Sequence, residues 1–124
     1  MSEDKAGQLE GKRVLVVEDE AAIAMLLEDM LLDFGCIIVG PAARLSTALD
    51  LARRETFDAA ILDVNVAGEP IYPVAEALAE RGVPLVFSTG YGGAGIKEPF
   101  RDRPVVQKPF SQSDLKRTLL ATLT

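Results

Sequence analysis

The 124-residue sequence contains no histidine and no tryptophan, and it has a single cysteine, Cys36. The lack of histidine excludes Ser-His-Asp and Cys-His catalysis, most zinc sites and a role as a phosphohistidine carrier. Cys36 has no partner for an internal disulfide, and the apolar residues that follow it predict a small buried side chain rather than a reactive thiol. A reducing cytoplasm is compatible with this cysteine content.

Long apolar runs and basic clusters are also missing. The formal net charge is −6, and no basic cluster is longer than Arg53-Arg54, so we expect no nucleic-acid partner. No apolar run approaches the length of a bilayer span, and residues 1–11 lack the apolar core of a signal peptide. We therefore expect a soluble cytoplasmic protein without membrane insertion. Its length and its 48% apolar content fit one domain with a sizeable core.

Short apolar runs alternate with segments of helical periodicity, which predicts an α/β fold with a doubly wound parallel sheet. One helical stripe runs from Ile23 to Phe34 and stops at Gly35, and another spans about residues 73–81 and stops at Gly82. The last helix should begin at Ser111, whose side chain can cap it, with Asp114 completing a capping box. The predicted strands are residues 14–17, 36–39, 57–62, 84–88 and 105–107.

Two segments depart from this regular pattern. Four of the six residues from Gly90 to Gly95 are glycine, and prolines follow at Pro99 and Pro104. A regular fourth helix would be costly there, so we expect a loop or a short mobile helix. Residues 1–11 are polar and are predicted to form a flexible N-terminal tail, with the folded domain covering residues 12–124.

Polar side chains stand just past the apolar runs of the predicted strands: Glu18 and Asp19, then Asp63, Thr89 and Lys108. The carboxyl ends of parallel strands meet in one crevice, so we expect these side chains to lie together. Crowded carboxylates repel one another unless a cation lies among them, and Mg²⁺ prefers such oxygen ligands. A lysine and a hydroxyl suit an incoming phosphoryl oxygen. The combination predicts phosphoryl transfer to an aspartate.

Other interpretations of these motifs remain open. The acidic run Glu18-Asp19-Glu20 also suits the N-terminus of a helix, and Lys108-Pro109-Phe110 also suits a strand-to-helix turn. Residues 90–95 match the dinucleotide-binding fingerprint, but they follow the fourth strand and open onto no long helix. The segment Asp63-Val64-Asn65 is similar to the nucleophile loop of haloacid-dehalogenase-like phosphatases. Asn65 stands there in place of the general acid, which disfavours hydrolytic turnover.

Four ordered motifs carry a resemblance that covers the chain from about Lys12 to its C-terminus. They are Val14-Leu-Val-Val-Glu-Asp-Glu20, Ile61-Leu-Asp-Val-Asn65, Phe87-Ser-Thr-Gly90 and Gln107-Lys-Pro-Phe110. With them the sequence resembles the receiver domain of bacterial two-component response regulators. The resemblance implies a flavodoxin-like fold with strand order 2-1-3-4-5. It also implies phosphoryl transfer from a sensor histidine kinase or phosphotransfer protein, and no enzymatic turnover beyond self-phosphorylation and slow autodephosphorylation.

The resemblance also assigns roles to single residues. Asp63 would be the phosphoacceptor, and Thr89 and Lys108 would hold the phosphoryl group. Mg²⁺ would be bound directly by Asp19, Asp63 and the backbone carbonyl of Asn65, while Glu18 would act through water. The backbone amides that would line the phosphoryl group belong to Val64, Asn65 and Gly90.

Two departures from the family pattern bear on signal output. Val66-Ala67 replaces the usual Met-Pro after the acceptor, and Val105 replaces the aromatic residue expected three positions before the lysine. The usual coupled threonine-aromatic rearrangement therefore lacks one partner. The stretch Pro84 to Tyr91 is similar instead to a subgroup of single-domain receivers marked by a Phe-Ala-Thr-Gly motif and found mainly in alphaproteobacteria. In that subgroup the signal passes through the segment after the fourth strand, which here makes Thr89, Tyr91, Gly92, Gly93 and Gly95 the expected switch residues.

The sequence thus predicts a stand-alone, phosphorylation-dependent switch that signals by binding an unidentified downstream protein. Two alternatives stay open. One is a phosphate sink or phosphorelay intermediate that drains a histidine kinase. The other is a degenerate receiver that serves as a scaffold, which the complete set of site residues disfavours.

Overall fold

The structure, a computed structural model, describes residues 8–90 and 95–123. Within those residues strands and helices alternate, as the sequence pattern predicts. The elements in chain order are β1 Arg13–Val17, α1 Ala21–Asp33, β2 Ile37–Ala42, α2 Leu45–Arg54, β3 Ala59–Asp63, β4 Asn65–Val66, β5 Glu69–Pro70, α3 Tyr72–Glu80, β6 Leu85–Thr89, β7 Val105–Gln107 and α4 Gln112–Leu123.

The main sheet has five parallel strands in the order β2-β1-β3-β6-β7. Numbered within this sheet alone, the order is 2-1-3-4-5, so the predicted flavodoxin-like topology is confirmed. Val17 pairs with Leu62, and Asp63 pairs with Ser88. This register places the residues that follow β1 beside the end of β3 at the carboxyl edge of the sheet.

Both faces of the sheet are covered by helices. Along β1, Leu15 and Val17 face one core together with α2 and α3, while Val14 and Val16 face a second core with α1 and α4. Alternate residues of a strand point to opposite faces, so a strand buried on both sides is apolar throughout. This arrangement explains the uninterrupted run of β3, in which Ala59 to Leu62 are fully buried. No helix within the described residues has the length and apolarity of a membrane-spanning segment.

Helix ends lie close to the predicted positions. Gly35 and Gly82 follow α1 and α3 with φ of 86° and 75°, the left-handed region that glycine adopts at low cost. Pro73 lies in the first turn of α3, where its missing N–H has no intrahelical acceptor. The Ser111 hydroxyl accepts a hydrogen bond of 3.1 Å from the Asp114 N–H at the start of α4, which is the predicted N-cap.

Strand β2 is longer than the sequence predicts, because it continues through Gly40-Pro41 to Ala42. The pairing of β1 with β2 shifts register between Leu15 and Val17, which marks a bulge. Gly40 has a φ of 98°, and a Cβ atom there would lie 2.8 Å from the Ala42 nitrogen. Only glycine fits this close approach.

Residues 8–11, placed in the flexible tail by the sequence, pack against the domain. Leu9 is fully buried, and its carbonyl oxygen accepts contacts from the Lys12 N–H and from the Cys36 thiol. The Gly11 N–H donates to the Gly35 carbonyl at 2.8 Å. The tail predicted for residues 1–7 lies outside the described residues.

The segment after β6 contains no α-helix within residues 95–104, in agreement with the predicted loss of a regular fourth helix. Turns replace it, and two apolar side chains, Ile96 and Phe100, are buried in the core shared with α2 and α3. Because residues 95–104 contain no α-helix, the attachment of this stretch to the domain depends on side-chain contacts such as those of Ile96 and Phe100.

Candidate functional site

Three carboxylates meet at the carboxyl edge of the sheet. Glu18 and Asp19 follow β1, and Asp63 ends β3, so the pairing of these two strands brings them together. One oxygen from each lies within 4.8 Å of the others. Glu18 is 1% exposed, Asp63 is 9% exposed, and Asp19 is open to solvent. The acidic crevice predicted from the sequence is therefore present.

Each of these carboxylates accepts a backbone N–H. Glu18 Oε2 accepts from Glu20 at 3.1 Å, Asp19 Oδ2 from Ala67 at 2.9 Å, and Asp63 Oδ1 from Asn65 at 3.4 Å. Two of the three donors lie only two residues beyond their acceptor. Glu18 and Asp63 are consequently oriented by their own loops, and Asp19 is oriented by the loop after β3.

Lys108 bridges two of the carboxylates. Its Nζ lies 2.9 Å from Glu18 Oε1 and 3.2 Å from Asp63 Oδ2. Burial alone would lower the pKa of Lys108, but the neighbouring Glu18 and Asp63 outweigh it and raise the pKa above its usual value. Lys108 therefore stays charged and can offer N–H donors to an anionic oxygen at this position.

Glu18 is the most deeply buried member of the group. Burial raises its pKa to about 7, while the bond from Lys108 and the Glu20 N–H work in the opposite direction. Its Oε1 has the Lys108 ion pair but no hydrogen bond of good geometry among the described residues. A single lysine cannot neutralise three carboxylates. A buried carboxylate oxygen without a hydrogen bond, beside two further carboxylates, fits a hydrated Mg²⁺.

The site residues line a cleft of about 340 Å³. Val64, Asn65 and Gly90, predicted to supply backbone amides, line this cleft together with the predicted side chains Asp63, Thr89 and Lys108. The Lys108 N–H donates to the Thr89 carbonyl at 2.9 Å, which fixes the end of β7 beside the end of β6. Gly95, a predicted switch residue, also lines the cleft. The other predicted switch residues Tyr91, Gly92 and Gly93 lie outside the described residues.

A two-residue hairpin turn, which the sequence did not predict, follows shortly after Asp63. Val66 of β4 pairs with Glu69 of β5, so Ala67 and Gly68 form the turn, with φ of 51° and 84°. Proline cannot adopt a positive φ. This turn therefore excludes the family's proline at position 67, and the N–H of the alanine found there orients Asp19. The Ala-Gly pair is a weak turn signal in the sequence.

Two further residues at the cleft were not predicted. Glu20 lies on the cleft wall, although the sequence suggests only an acidic helix N-terminus. Tyr72, at the start of α3, contacts Gly95 and Lys97 through its hydroxyl group. These contacts join residues more than 20 positions apart, and nothing in the local sequence indicates them.

The family model of the response regulator receiver domain matches residues 14–120. The solved structure of SdrG from Sphingomonas melonis Fr1 is 45% identical, with a TM-score of 0.82, and the match covers 92% of this chain and 98% of SdrG. Another structure describes the BeF3-activated conformation of SdrG, with a TM-score of 0.77 and coverage of 90% and 96%. The chain belongs to the response regulator receiver domain family.

Other relatives agree with this assignment. The receiver domain of the PhyR response regulator from Erythrobacter litoralis is 31% identical, with a TM-score of 0.81 and coverage of 94% of this chain and 93% of that domain. The transcriptional regulatory protein PdtaR of Mycobacterium tuberculosis is 37% identical over 108 residues, which is 84% of this chain. The chain spans 53% of PdtaR. The likeness to PdtaR therefore concerns about half of that protein.

Proposed function

We propose that this protein is a phosphorylation-dependent signalling switch of a two-component system, in which Asp63 accepts a phosphoryl group from a sensor histidine kinase or phosphotransfer protein. The carrying observation is the position of Asp63, which lines the cleft, has a carboxylate oxygen within 4.8 Å of oxygens of Glu18 and Asp19, and lies 3.2 Å from Lys108 Nζ. Phosphorylation would change the contacts of Lys108 and Thr89, and the protein would signal by binding a downstream protein.

The transfer can be written with the residues that line the cleft. A carboxylate oxygen of Asp63 attacks phosphorus, the bond between phosphorus and the donor's imidazole nitrogen breaks, and the imidazole leaves with the electron pair of that bond. Lys108 and the Thr89 hydroxyl donate to the phosphoryl oxygens, and the amides of Val64, Asn65 and Gly90 line the remaining space. Mg²⁺, held by Asp19, Asp63 and the Asn65 carbonyl with Glu18 acting through water, would neutralise charge that develops on the phosphoryl oxygens.

A switch is supported by SdrG, a 45% identical relative for which a BeF3-activated conformation has been solved. One observation favours the alternative of a phosphate sink or relay intermediate. Val105 is half-buried at the position of the family's usual aromatic switch residue, so the threonine-aromatic rearrangement of ordinary receivers cannot take its usual form. If the protein is a switch, its signal must therefore pass through other contacts of the segment after β6.

The acceptor is tested by labelling with a small-molecule phosphodonor and Mg²⁺. Wild type should form one acyl phosphate, and Asp63→Asn should form none. Asp58→Asn is the matched control, because Asp58 precedes the same strand and accepts the Arg13 N–H at 2.8 Å, a bond that an asparagine oxygen can keep. Full labelling of Asp63→Asn would refute the assignment.

Amide hydrogen exchange of the segment from Gly90 to Arg103 separates the switch from the sink. A charge-assisted hydrogen bond to the phosphoryl group, worth about 1.5–3 kcal/mol, is large enough to shift a loop equilibrium of similar size. We expect exchange to slow on phosphorylation if the protein is a switch. A pure sink needs no change of surface, so equal exchange before and after phosphorylation would favour the alternative.

A further inference from the structure

The hydroxyl group of Tyr72 makes two hydrogen bonds to the segment after β6. It donates to the Gly95 carbonyl at 3.2 Å and accepts from the Lys97 N–H at 2.9 Å. We call this pair of bonds the Tyr72 clasp. The Lys97 ammonium also lies 5.8 Å from the centre of the Tyr72 ring. One side chain of α3 thus contacts both residues that flank Ile96, in a stretch where residues 95–104 contain no α-helix.

The backbone that precedes Tyr72 is hydrogen-bonded to the loop that follows Asp63. Tyr72 directly follows Ile71, which is fully buried, and the Ile71 N–H donates to the Val64 carbonyl at 2.9 Å. Val64 is the residue after Asp63. The clasp therefore joins the backbone beside Asp63 to Gly95, and both Val64 and Gly95 line the same cleft.

The ring of Tyr72 has its own packing, separate from the clasp. It stacks on Phe100 with ring centroids 6.1 Å apart. The ring of Phe100 in turn packs against that of Phe87 in β6, with centroids 6.0 Å apart. A phenylalanine at position 72 would keep this aromatic packing and lose only the hydroxyl. Tyr72→Phe therefore removes the two hydrogen bonds of the clasp and keeps the packing of the ring on Phe100.

We propose that Tyr72 is a positioning residue that holds Gly95 in the wall of the cleft and so slows hydrolysis of phosphorylated Asp63. This inference rests on the proposed function. In hydrolysis a water oxygen attacks phosphorus, and the bond from phosphorus to the Asp63 oxygen breaks with its electron pair returning to the carboxylate. The water loses a proton to bulk solvent, and inorganic phosphate leaves. Water needs access to the phosphoryl group along a line opposite that bond. Release of Gly95 widens the cleft on the side of β6 and gives water that access.

The test compares Tyr72→Phe with wild type in the rate of acyl phosphate loss after removal of a small-molecule phosphodonor. We expect loss to be about two- to tenfold faster, the factor by which one hydrogen bond changes an equilibrium. The matched control is Thr118→Val, which removes a 2.8 Å bond from the Thr118 hydroxyl to the Asp114 carbonyl in α4, on the other face of the sheet. Thr118→Val should leave the rate unchanged. A merely structural Tyr72 would lower the melting temperature without changing the rate.

Amide exchange of Lys97 in the unphosphorylated protein provides the second measurement. Tyr72→Phe should raise this exchange by a similar factor, and Thr118→Val should not. Unchanged Lys97 exchange would show that the Tyr72 hydroxyl does not hold the Lys97 N–H, and this would overturn the clasp. Raised exchange with an unchanged hydrolysis rate would overturn the proposal that the clasp slows hydrolysis of phosphorylated Asp63. If wild type took up no phosphoryl group, the proposed function would fail and the hydrolysis effect with it, while the exchange measurement would still decide the clasp.

Discussion

The two walls of the cleft are held in place by different kinds of contact. On the wall formed by β1 and β3, each carboxylate accepts a backbone N–H, and for Glu18 and Asp63 the donor is two residues away. On the wall formed by β6 and β7, Gly95 is held by Tyr72, which is 23 residues away. Two of the three carboxylates on the first wall are thus oriented by local contacts, and Asp19 is oriented by the Ala67 N–H of the neighbouring loop. Gly95 on the second wall is held by the side chain of a different element. We therefore assign the proposed Mg²⁺ site to the first wall, which we call the rigid wall, and the proposed regulation to the second wall.

Lys108 connects the two walls, so its removal should have the largest effect. Lys108→Met keeps the length of the side chain and removes the charge that lies 2.9 Å from Glu18 and 3.2 Å from Asp63. A charge-assisted hydrogen bond to the phosphoryl group is worth about 1.5–3 kcal/mol, so we expect Asp63 to be labelled roughly ten- to hundredfold more slowly. Labelling kinetics with a small phosphodonor provide the measurement.

The control for this prediction is Lys116→Met in α4, which removes a charge 5.8 Å from the Phe34 ring and far from the cleft. Its labelling should match wild type. Equal rates for Lys108→Met and wild type would show that the lysine is a structural link between the walls and takes no part in the transfer.

The contributions of two neighbouring acids on the rigid wall, Glu18 and Asp19, can be separated by comparing their effects on Mg²⁺ binding. Asp19 is exposed to the crevice, whereas Glu18 is buried and already paired with Lys108. We expect Asp19→Asn to weaken Mg²⁺ binding at least about tenfold and Glu18→Gln to weaken it less, because a direct ligand contributes more than a group acting through water. Calorimetric titration with Mg²⁺ measures both. An unchanged affinity in Asp19→Asn would contradict this assignment.

Cys36, which is remote from both walls, allows a prediction about the stability of the fold that does not involve the cleft. Cys36 is 5% exposed and its Sγ contacts the Leu9 carbonyl at 3.5 Å. Burial, assisted by the charge of Asp58, raises the pKa of the thiol to about 11 from 9.0. The folded state therefore disfavours the thiolate, so stability is retained below pH 9 and declines as the pH rises toward 11. At pH 10 the loss should be about 1.4 kcal/mol.

Urea unfolding at pH 8 and pH 10 tests this expectation, with Cys36→Ala as the reference. Other groups titrate in the same range, and they do so equally in both proteins, so the difference between the two isolates the thiol. If wild type and Cys36→Ala lost the same stability, the raised pKa of Cys36 would be wrong. Labelling of Asp63 should be unaffected by Cys36→Ala, which separates this region from the cleft.

The contrast between the walls also explains which features the sequence could reveal. The position of Asp63 beside charged partners was predictable, because an ionisable residue that ends a strand as apolar as Ala59 to Leu62 needs a partner or a function. Gly35 and Gly82 mark helix ends by a purely local conformational preference. The continuation of β2 through Gly40-Pro41 was missed, because turn residues locally indicate a stop and the bulge against β1 overrides that preference.

The clasp was missed for a related reason. A tyrosine at the start of a helix carries no local signal for its partners, and Gly95 and Lys97 come near only when the sheet order places β6 beside β3. The hairpin turn at Ala67-Gly68 was missed because alanine rarely adopts a positive φ. In both places tertiary structure imposes a conformation that local propensity does not favour.

The smallest expected effect concerns this hairpin turn and tests whether the rigid wall carries backbone strain. Ala67 has a φ of 51°, and its N–H donates to Asp19 at 2.9 Å. Ala67→Gly should relieve the strain and raise the free energy of unfolding by about 0.5–1 kcal/mol. The same substitution at Ala77, within α3, should lower it by about 1 kcal/mol. Because glycine keeps the N–H that orients Asp19, Mg²⁺ affinity should stay within about twofold of wild type. A stability gain accompanied by a large loss of affinity would mean that the wall depends on the strained turn to position Asp19.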